Sequence, residues 1–425
     1  MAKPLGREFL LDVSRLVWRV WRGGLPTGID RVCLAYVEQF GARSRAVVQW
    51  RGTRLVLSPR WSDRLFSLLA IGSTSVRRDL IGLLSLAVPG AVRQTVYPGT
   101  TYLNVGHTGL DQATLCRWIG RRRLRAVYLV HDLIPITHPQ FCRQGEEFKH
   151  RQRITTILAS ASGVIGNSQA TLDDLRRFAR ENEVLMPPSV VAWISGNPVP
   201  GASPLSIDRP YFVVLGTIEA RKNHGVLLAA WRRLVTELGR EAPILFIVGR
   251  RGWEVDDVLA QLDQLGPLHE HVRELGSCSD ATLGELVAGA RAMLMPSFVE
   301  GFGLPITEAL QEGVPVIASD LAVYREIAGE IPTYVRPDDE QAWAATVREF
   351  AGDGPERLRQ LKDVATYQAP RWSDHFRTVE AWLMSLRVRN LEAGLHAGVS
   401  TLEPAPQLAT AAPLGDNATD IKALG

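Results

Sequence analysis

Two glutamates, Glu300 and Glu308, frame the stretch Met295–Glu312 (MPSFVEGFGLPITEALQE), with Gly301, Phe302, Gly303 and Leu304 between them. The apolar run Ala292–Met295 before it has the composition of a buried parallel strand. Pro305 suits the first position of a helix and Gly313 the position just past its end. A strand, a glycine loop and a helix in this order aim backbone N–H groups and a positive helix end at one spot, where a phosphate can rest. Carboxylates accept hydrogen bonds from hydroxyls. The pattern therefore suits a polyhydroxylated diphosphate.

Three other loops offer matching chemistry. Gly216-Thr217-Ile218-Glu219-Ala220-Arg221-Lys222-Asn223 follows the apolar run Tyr211–Leu215 and leads into a predicted helix, His224–Leu238. Its adjacent cations, Arg221 and Lys222, fall between a strand end and a helix start, where they face a bound diphosphate. His131 and Asp132 follow a predicted strand, Ala126–Val130. Pro135 is expected to keep a helix from starting there, leaving both on a loop at the ligand-binding edge of a parallel sheet. Near the N-terminus, Phe9–Val13 is a strand candidate followed by Gly23-Gly24-Leu25-Pro26-Thr27-Gly28, with Thr27 capping a helix that Gly41 ends near Phe40. This loop has phosphate-site architecture without the dinucleotide fingerprint.

The elements that position these loops alternate strand and helix along the chain, which predicts parallel sheets in an α/β protein. At 425 residues the chain exceeds one ordinary core. Gly196–Pro204, rich in glycine and proline, divides it into an N-terminal domain, 1–200, and a C-terminal domain, 205–370. A helix over 371–391 is expected to return toward the first domain. The segment 392–425, rich in Ala, Gly, Pro and Thr, is expected to be disordered.

Composition narrows the function classes. With 46% hydrophobic and 22% charged residues the sequence has a globular profile. Four scattered cysteines show neither metal spacing nor a disulfide framework, which fits a reducing cytoplasm. The N-terminus lacks the apolar core and cleavage site of a signal peptide. Leu65–Val88 is the most apolar long stretch, but Arg77, Arg78 and Asp79 interrupt it and rule out a spanning helix; an amphipathic surface helix remains. Residues 1–200 hold 27 Lys and Arg against 14 Asp and Glu, and residues 201–425 hold 21 against 31. Basic and acidic halves imply different partners. An anionic inner-membrane surface suits the first, and nucleic acid is not expected as a partner of either.

GTIEARKN (Gly216–Asn223), EGFGLPITE (Glu300–Glu308) and VHDLIP (Val130–Pro135) together resemble the GT-B glycosyltransferases, most closely retaining glycosyltransferase family 4. GGLPTGIDR (Gly23–Arg31) is similar to bacterial exopolysaccharide and O-antigen transferases of that group. The resemblance covers roughly residues 8 to 386 and is stronger across the second domain. It implies two Rossmann-like doubly wound domains with a cleft between them. It further implies that Glu300 holds donor-sugar hydroxyls and Glu308 the ribose. Gly216, Thr217 and the amides of Gly301, Phe302, Gly303 and Leu304 would meet sugar and diphosphate, while Arg221 and Lys222 neutralise the leaving group. Gly23 and Gly24 would approach the phosphates and His131 the sugar. Many members carry arginine where this chain has Thr217, which shifts weight onto Arg221. The implied reaction moves a hexose, mannose favoured, from a sugar nucleotide such as GDP-mannose to a polyprenyl-linked or oligosaccharide acceptor, with no metal or other cofactor. The implied location is cytoplasmic, peripheral to the inner membrane. A sugar-nucleotide epimerase and a noncatalytic sugar-nucleotide-binding subunit are the alternatives.

Overall fold

Short apolar runs flanked by glycine and capping residues form two sheets in the computed structural model, which describes residues 7–23, 27–50, 52–71, 76–91, 95–196, 203–276 and 278–399. The first sheet contains β1 (Phe9–Asp12), β2 (Ser44–Trp50), β3 (Thr53–Val56), β4 (Thr101–Asn104), β5 (Arg125–Val130), β6 (Ala161–Gly166) and β7 (Ser189–Val191), ordered β3-β2-β1-β4-β5-β6-β7. The second contains β8 (Tyr211–Leu215), β9 (Ile244–Val248), β10 (Val272–Leu275), β11 (Ala292–Met295), β12 (Val316–Ser319) and β13 (Thr333–Val335), ordered β10-β9-β8-β11-β12-β13. Strands β1, β4, β9, β11 and β12 are buried along their whole length, as strands covered by helices on both faces must be. In each sheet the order reverses once, between β1 and β4 and between β8 and β11. Crevices open at such points, outside the strands' C-terminal ends.

The helices of the first lobe are α1 (Ser14–Arg22), α2 (Gly28–Phe40), α3 (Pro59–Ile71), α4 (Val76–Ala91), α5 (Ala113–Arg122), α6 (Ile134–Thr137), α7 (Glu146–Ser160) and α8 (Gln169–Glu181). Those that follow are α9 (His224–Leu238), α10 (Asp256–Asp263), α11 (Asp280–Ala288), α12 (Leu304–Gln311), α13 (Ala322–Ala328), α14 (Glu340–Ala351), α15 (Pro355–Val364) and α16 (Trp372–Val399). Met1–Trp382 forms one compact unit and Leu383–Gly425 a second, whose described part is the continuation of α16. No helix among the described residues is long and apolar enough to cross a membrane.

Four expectations change. Strand β3 pairs antiparallel with β2, Val47 opposite Val56, so the first sheet is not parallel throughout. Trp50 pairs with Thr53, and Gly52 at φ +78° supplies the left-handed residue that so tight a hairpin needs. Pro135 does not prevent a helix: it lies in the first turn of α6, where its missing N–H is not required. Asp132 Oδ1 accepts from the Ile134 amide at 3.1 Å and steadies that turn. The apolar stretch Leu65–Val88 is divided between two helices, α3 and α4, rather than forming one, with Leu65, Leu69 and Leu80 buried and Ile81 and Leu86 of α4 exposed. Finally, α16 stays helical to Val399, past the expected start of disorder at Glu392. Leu391, Glu392, Ala393 and Ala397 are good helix formers. Residues 400–425 lie outside the described residues.

The first turns of α16 pack on the first lobe. His375 Nε2 lies 2.9 Å from the Tyr36 hydroxyl, Phe376 stacks edge-on to Tyr36 and Phe40, and Glu380 pairs with Arg43. The core of the second lobe centres on Phe212, Trp231, Trp343 and Phe350, all fully buried. The Trp231 indole donates to the Pro243 carbonyl at 2.9 Å and Trp343 to the Arg336 carbonyl at 3.0 Å, so neither ring buries an unmet donor. Truncating Trp343 to alanine should cost about 3–5 kcal/mol in urea unfolding. A loss below about 1 kcal/mol would show that α14 is not anchored through this ring.

Candidate active site

Parallel neighbours β8 and β11 end side by side at the second sheet's reversal point, bringing their C-terminal loops together. From the β8 loop, Arg221 and Lys222 sit in a single 3-10 turn, Ala220–Lys222, closed by Asn223 at φ +52°. The Asn223 side-chain amide fixes that turn by donating to the Pro296 carbonyl at 3.0 Å and the Pro337 carbonyl at 2.7 Å. From the β11 loop comes Glu300. Arg221 Nη1 is 2.7 Å from Glu300 Oε2, Lys222 Nζ is 2.5 Å from Oε1, and the Ser297 hydroxyl donates to Oε1 at 2.9 Å. Glu219, which sequence reasoning gave no role, pairs with Arg221 Nη2 at 2.6 Å. At Gly216 a Cβ would stand 3.3 Å from Lys222 Cε, so glycine there leaves the lysine stem room to fold over the loop.

Burial by itself would raise the Glu300 carboxyl. Arg221, Lys222 and the hydrogen bonds from Lys222 and Ser297 outweigh it and hold the group down at about 2. Burial likewise opposes the Arg221 charge, but Glu300, Glu219 and Asp132 drive its pKa further up. Both partners shift in the direction expected of a paired, desolvated ion cluster.

Gly301 fits against the first lobe: a Cβ there would lie 2.5 Å from the His131 carbonyl oxygen. The Ser168 and Thr171 hydroxyls donate to the Gly301 carbonyl at 3.2 and 3.3 Å. Phe302 is buried, and Gly303 adopts φ +110° as the residue before α12, closely packed on Tyr324. Leu304 opens α12 and faces Gly28 of the first lobe. Glu308, a turn further along, is held apart from Glu300: it adjoins Gly196 and lies 3.8 Å from Arg31, which also reaches Asp280 at 3.3 Å. Thr217 turns its methyl toward Gly252. Glu300, Arg221 and Lys222 are thus one cluster and Glu308 belongs to another.

In the first lobe, Asp132, Phe141 and Arg143 form the opposite wall, and Gly23 and His131 do not line it. Gly23 ends α1 at φ +68°; Gly24 lies outside the described residues. His131 is buried, with Nε2 committed to the Val105 carbonyl at 2.8 Å. His107 Nε2 meets the Leu129 carbonyl at 2.8 Å and His150 Nε2 the Asp132 carbonyl at 3.0 Å. Burial pushes all three rings down, His131 to about 4, so at neutral pH they act as uncharged props for the loop. Among the described residues no three His, Cys, Asp or Glu side chains are placed to hold a metal ion. A cavity of about 400 Å³ opens between the lobes, walled by Asp132, Phe141, Arg143, Arg221, Trp253 and Glu300. Phe141 stacks on Phe298 at 5.0 Å and Arg143 lies over Trp253 at 4.2 Å, so both lobes contribute to its rim.

Residues 201–366 match the family described as Glycosyl transferases group 1. The chain has the GT-B fold, and its second lobe is similar to the group 1 glycosyl transferases. Over 242 residues this GT-B chain is 30% identical to the serotype-specific mannosyltransferase WbdA of Escherichia coli, covering 53% of this chain and 29% of that protein. It is 41% identical over 143 residues to O-antigen chain mannosyltransferase B of Escherichia coli, covering 34% of this chain and 37% of the relative. The matches therefore span well under half the length of these curated relatives. The crystal structure of Anabaena Alr3699/HepE in complex with UDP and glucose superposes with a TM-score of 0.62 over 89% of this chain and 99% of the other, at 17% identity. At that identity the likeness is one of fold.

The buried groups divide acid sensitivity into two windows. Neutral His107, His131 and His150 have depressed folded values, so their contribution is lost as pH falls from 6.5, through about 4 for His131. Glu300, also depressed, contributes above 4.5 and loses that contribution as pH falls toward about 2. Glu300→Gln should flatten the melting-temperature profile below pH 4.5 and leave the loss between 6.5 and 4.5 in place. An unchanged slope below pH 4.5 would mean that Glu300 is not held ionised by its cations.

Proposed function

We propose that the protein transfers a hexose, with mannose favoured and GDP-mannose as donor, to a polyprenyl-linked or growing polysaccharide acceptor, with retention of configuration. The observation that carries this reading is the buried Glu300 carboxylate gripped by Arg221 and Lys222 on the wall of the interlobe cavity. The mannosyltransferase names of the relatives favour mannose. On donor binding, Arg221 and Lys222 turn part of their hydrogen-bonding capacity to the diphosphate. Glu300 then has lone pairs available for sugar hydroxyls. The N-terminus of α12 faces the same charge, and fixed positive groups aimed at a leaving diphosphate lower the barrier. Glu308, in its own narrow crevice with Arg31 and Asp280, is assigned the ribose. His131, neutral and fixed by Val105, is assigned to the sugar side, where its carbonyl oxygen backs Gly301. Attack from the face the diphosphate leaves, through a short-lived ion pair, needs no covalent nucleophile. The cations supply the neutralisation that a divalent ion would otherwise give.

Purified protein with GDP-mannose and a lipid-linked glycan acceptor should form product, in EDTA as well as in Mg²⁺. Lys222→Ala and Glu300→Ala should each lower the rate by about 10²–10³. Donor epimerised without acceptor would replace transfer by epimerisation. Activity lost in EDTA and restored by Mg²⁺ would overturn the metal-free assignment.

The reading places the acceptor at a membrane. On the first lobe Trp21, Trp50 (53% exposed) and Ile81 surround an apolar hollow of about 500 Å³, Leu86 (67% exposed) lies further along α4, and Arg77 lies over the Trp21 ring. Exposed tryptophans beside arginines suit the headgroup region of an anionic bilayer. Arg121 and Arg122 gather instead with Arg54 and Arg117 around a separate groove. In flotation, the protein should rise with anionic liposomes at low salt and less at high salt, and Trp50→Glu should weaken the rise. Salt-indifferent or lipid-indifferent binding would remove the electrostatic part, and absence of binding would point to a soluble acceptor.

A further inference from the structure

The first turn of a helix leaves four backbone N–H groups without partners inside the helix. In α8 of the first lobe, the Ser168 hydroxyl satisfies one of them, accepting from Thr171 N at 3.0 Å, while the Ser168 carbonyl accepts the helix's first internal bond from Leu172 N at 3.3 Å. Two more are met from the second lobe. Glu326 of α13 accepts from Gln169 N at 2.6 Å through Oε1 and from Ala170 N at 3.1 Å through Oε2. Glu326 Oε1 also accepts from the Trp193 indole at 2.8 Å. No lysine or arginine pairs with Glu326 among the described residues. Its charge is balanced by the positive end of α8, the arrangement a helix dipole favours.

The same turn of α8 is held at a second point. The Ser168 and Thr171 hydroxyls donate to the carbonyl of Gly301, the residue after Glu300. Helix α13 connects the two grips, because its Tyr324 and Ile327 pack on Gly303, where a Cβ would meet them at 2.8 and 3.2 Å. One face of α13 therefore backs the glycine loop while its Glu326 clasps the first lobe. Trp193 is itself fixed, since His375 Nδ1 lies 3.2 Å from its carbonyl and His375 Nε2 2.9 Å from the Tyr36 hydroxyl. A cavity of about 830 Å³ adjoins the clasp, so water can reach it and the contacts can open and close without disturbing a core.

We propose that Glu326 is a positioning residue for glycosyl transfer, latching α8 and Trp193 of the first lobe to the helix behind the glycine loop. With the latch closed, Gly301 sits against the His131 carbonyl, and Glu300, Arg221 and Asp132 wall one cavity. With it open, the lobes lose their register and the wall is incomplete. A protein whose competent state is only partly populated binds its ligand less tightly in proportion. The role in transfer rests on the function proposed above; the latch does not.

The test has two readouts. Amide hydrogen exchange at Gln169 and Ala170 reports the latch directly and needs no substrate. Glu326→Ala should speed exchange at both amides at least tenfold while leaving the middle of α8 protected. Glu326→Gln, which keeps an acceptor, should give a smaller increase, and Trp193→Phe, which removes only the indole donor, a smaller one still. In transfer assays with GDP-mannose, Glu326→Ala should lower kcat/KM about 10- to 100-fold, mainly by raising KM, with Gln restoring part of the loss. Unchanged exchange at the two amides would overturn the latch, and faster exchange with unaltered kcat/KM would overturn its role in positioning. A wild type that transfers nothing would sink the proposed reaction, and the exchange comparison would still decide the latch.

Discussion

A carboxylate taken out of water must be matched by charge and hydrogen bonds, and the second lobe is arranged around that requirement at Glu300. Removing both cations would strand a buried charge, a situation that typically costs several kcal/mol. The cations come from 78 and 79 positions earlier in the chain, so only the adjacency of β8 and β11 brings them to the carboxylate. Asn223 in the left-handed conformation, glycine at 216 and Ser297 beside Oε1 follow from the same need. Each aims a charge at Glu300, makes space for one or donates a hydrogen bond to it.

The first lobe meets a parallel requirement with different chemistry. Asp12, at the end of β1 beside the reversal point, is buried, and burial pushes its carboxyl up despite the hydrogen bonds that pull the other way. Its Oδ2 accepts from Tyr102 and from Gln49, both at 2.7 Å, and the Gln49 amide donates onward to the Thr108 carbonyl at 2.9 Å. Among the described residues no cation hydrogen-bonds to Asp12. The network tethers the loop carrying His107, whose φ of +57° is held by surrounding contacts rather than favoured locally. The first lobe thus holds this loop with hydrogen bonds alone, while its Asp132 and Arg143 bring charge to the cavity that Arg221 and Glu300 also line.

Much of this was legible because the relevant signals are local. Met295–Glu312 carries its strand, glycine loop, proline start and glycine stop within eighteen residues, and α12 forms there. Thr27 was expected to cap α2, and the structure adds Asp30, whose carboxylate accepts from the Thr27 amide and hydroxyl. What escaped were short or context-dependent elements. Strands β7 and β13 are three residues each, too short for a period to show, and α13 spans seven. The antiparallel pairing of β3 depends on a tight turn, which the strand–helix alternation elsewhere masked. The proline argument failed at Pro135 because proline is excluded from helix interiors and not from first turns. In the site, Glu219 lies within Gly216–Asn223 with no spacing to single it out, and Glu326 has no pattern around it. Its partners are backbone amides 156 and 157 positions away, and no spacing rule reports such contacts.

The resting charge of the cluster bears on how a donor would be received. Glu219 and Glu300 contribute two negative charges, and Arg221 and Lys222 two positive ones, so the quartet is balanced. Thr217 adds no charge and turns toward Gly252. A diphosphate is therefore not drawn by a local excess of positive charge. The available resource is donor capacity, since a guanidinium carries five N–H groups and an ammonium three. Glu300 and Glu219 occupy only part of that number. In the proposed reaction an arriving diphosphate would take the remaining donors together with the amides opening α12, while Glu300 keeps enough contact to stay ionised. The carboxylates would then act as spacers that hold the cations extended and desolvated before substrate arrives, so that little reorganisation is left to the moment when the bond to the sugar breaks.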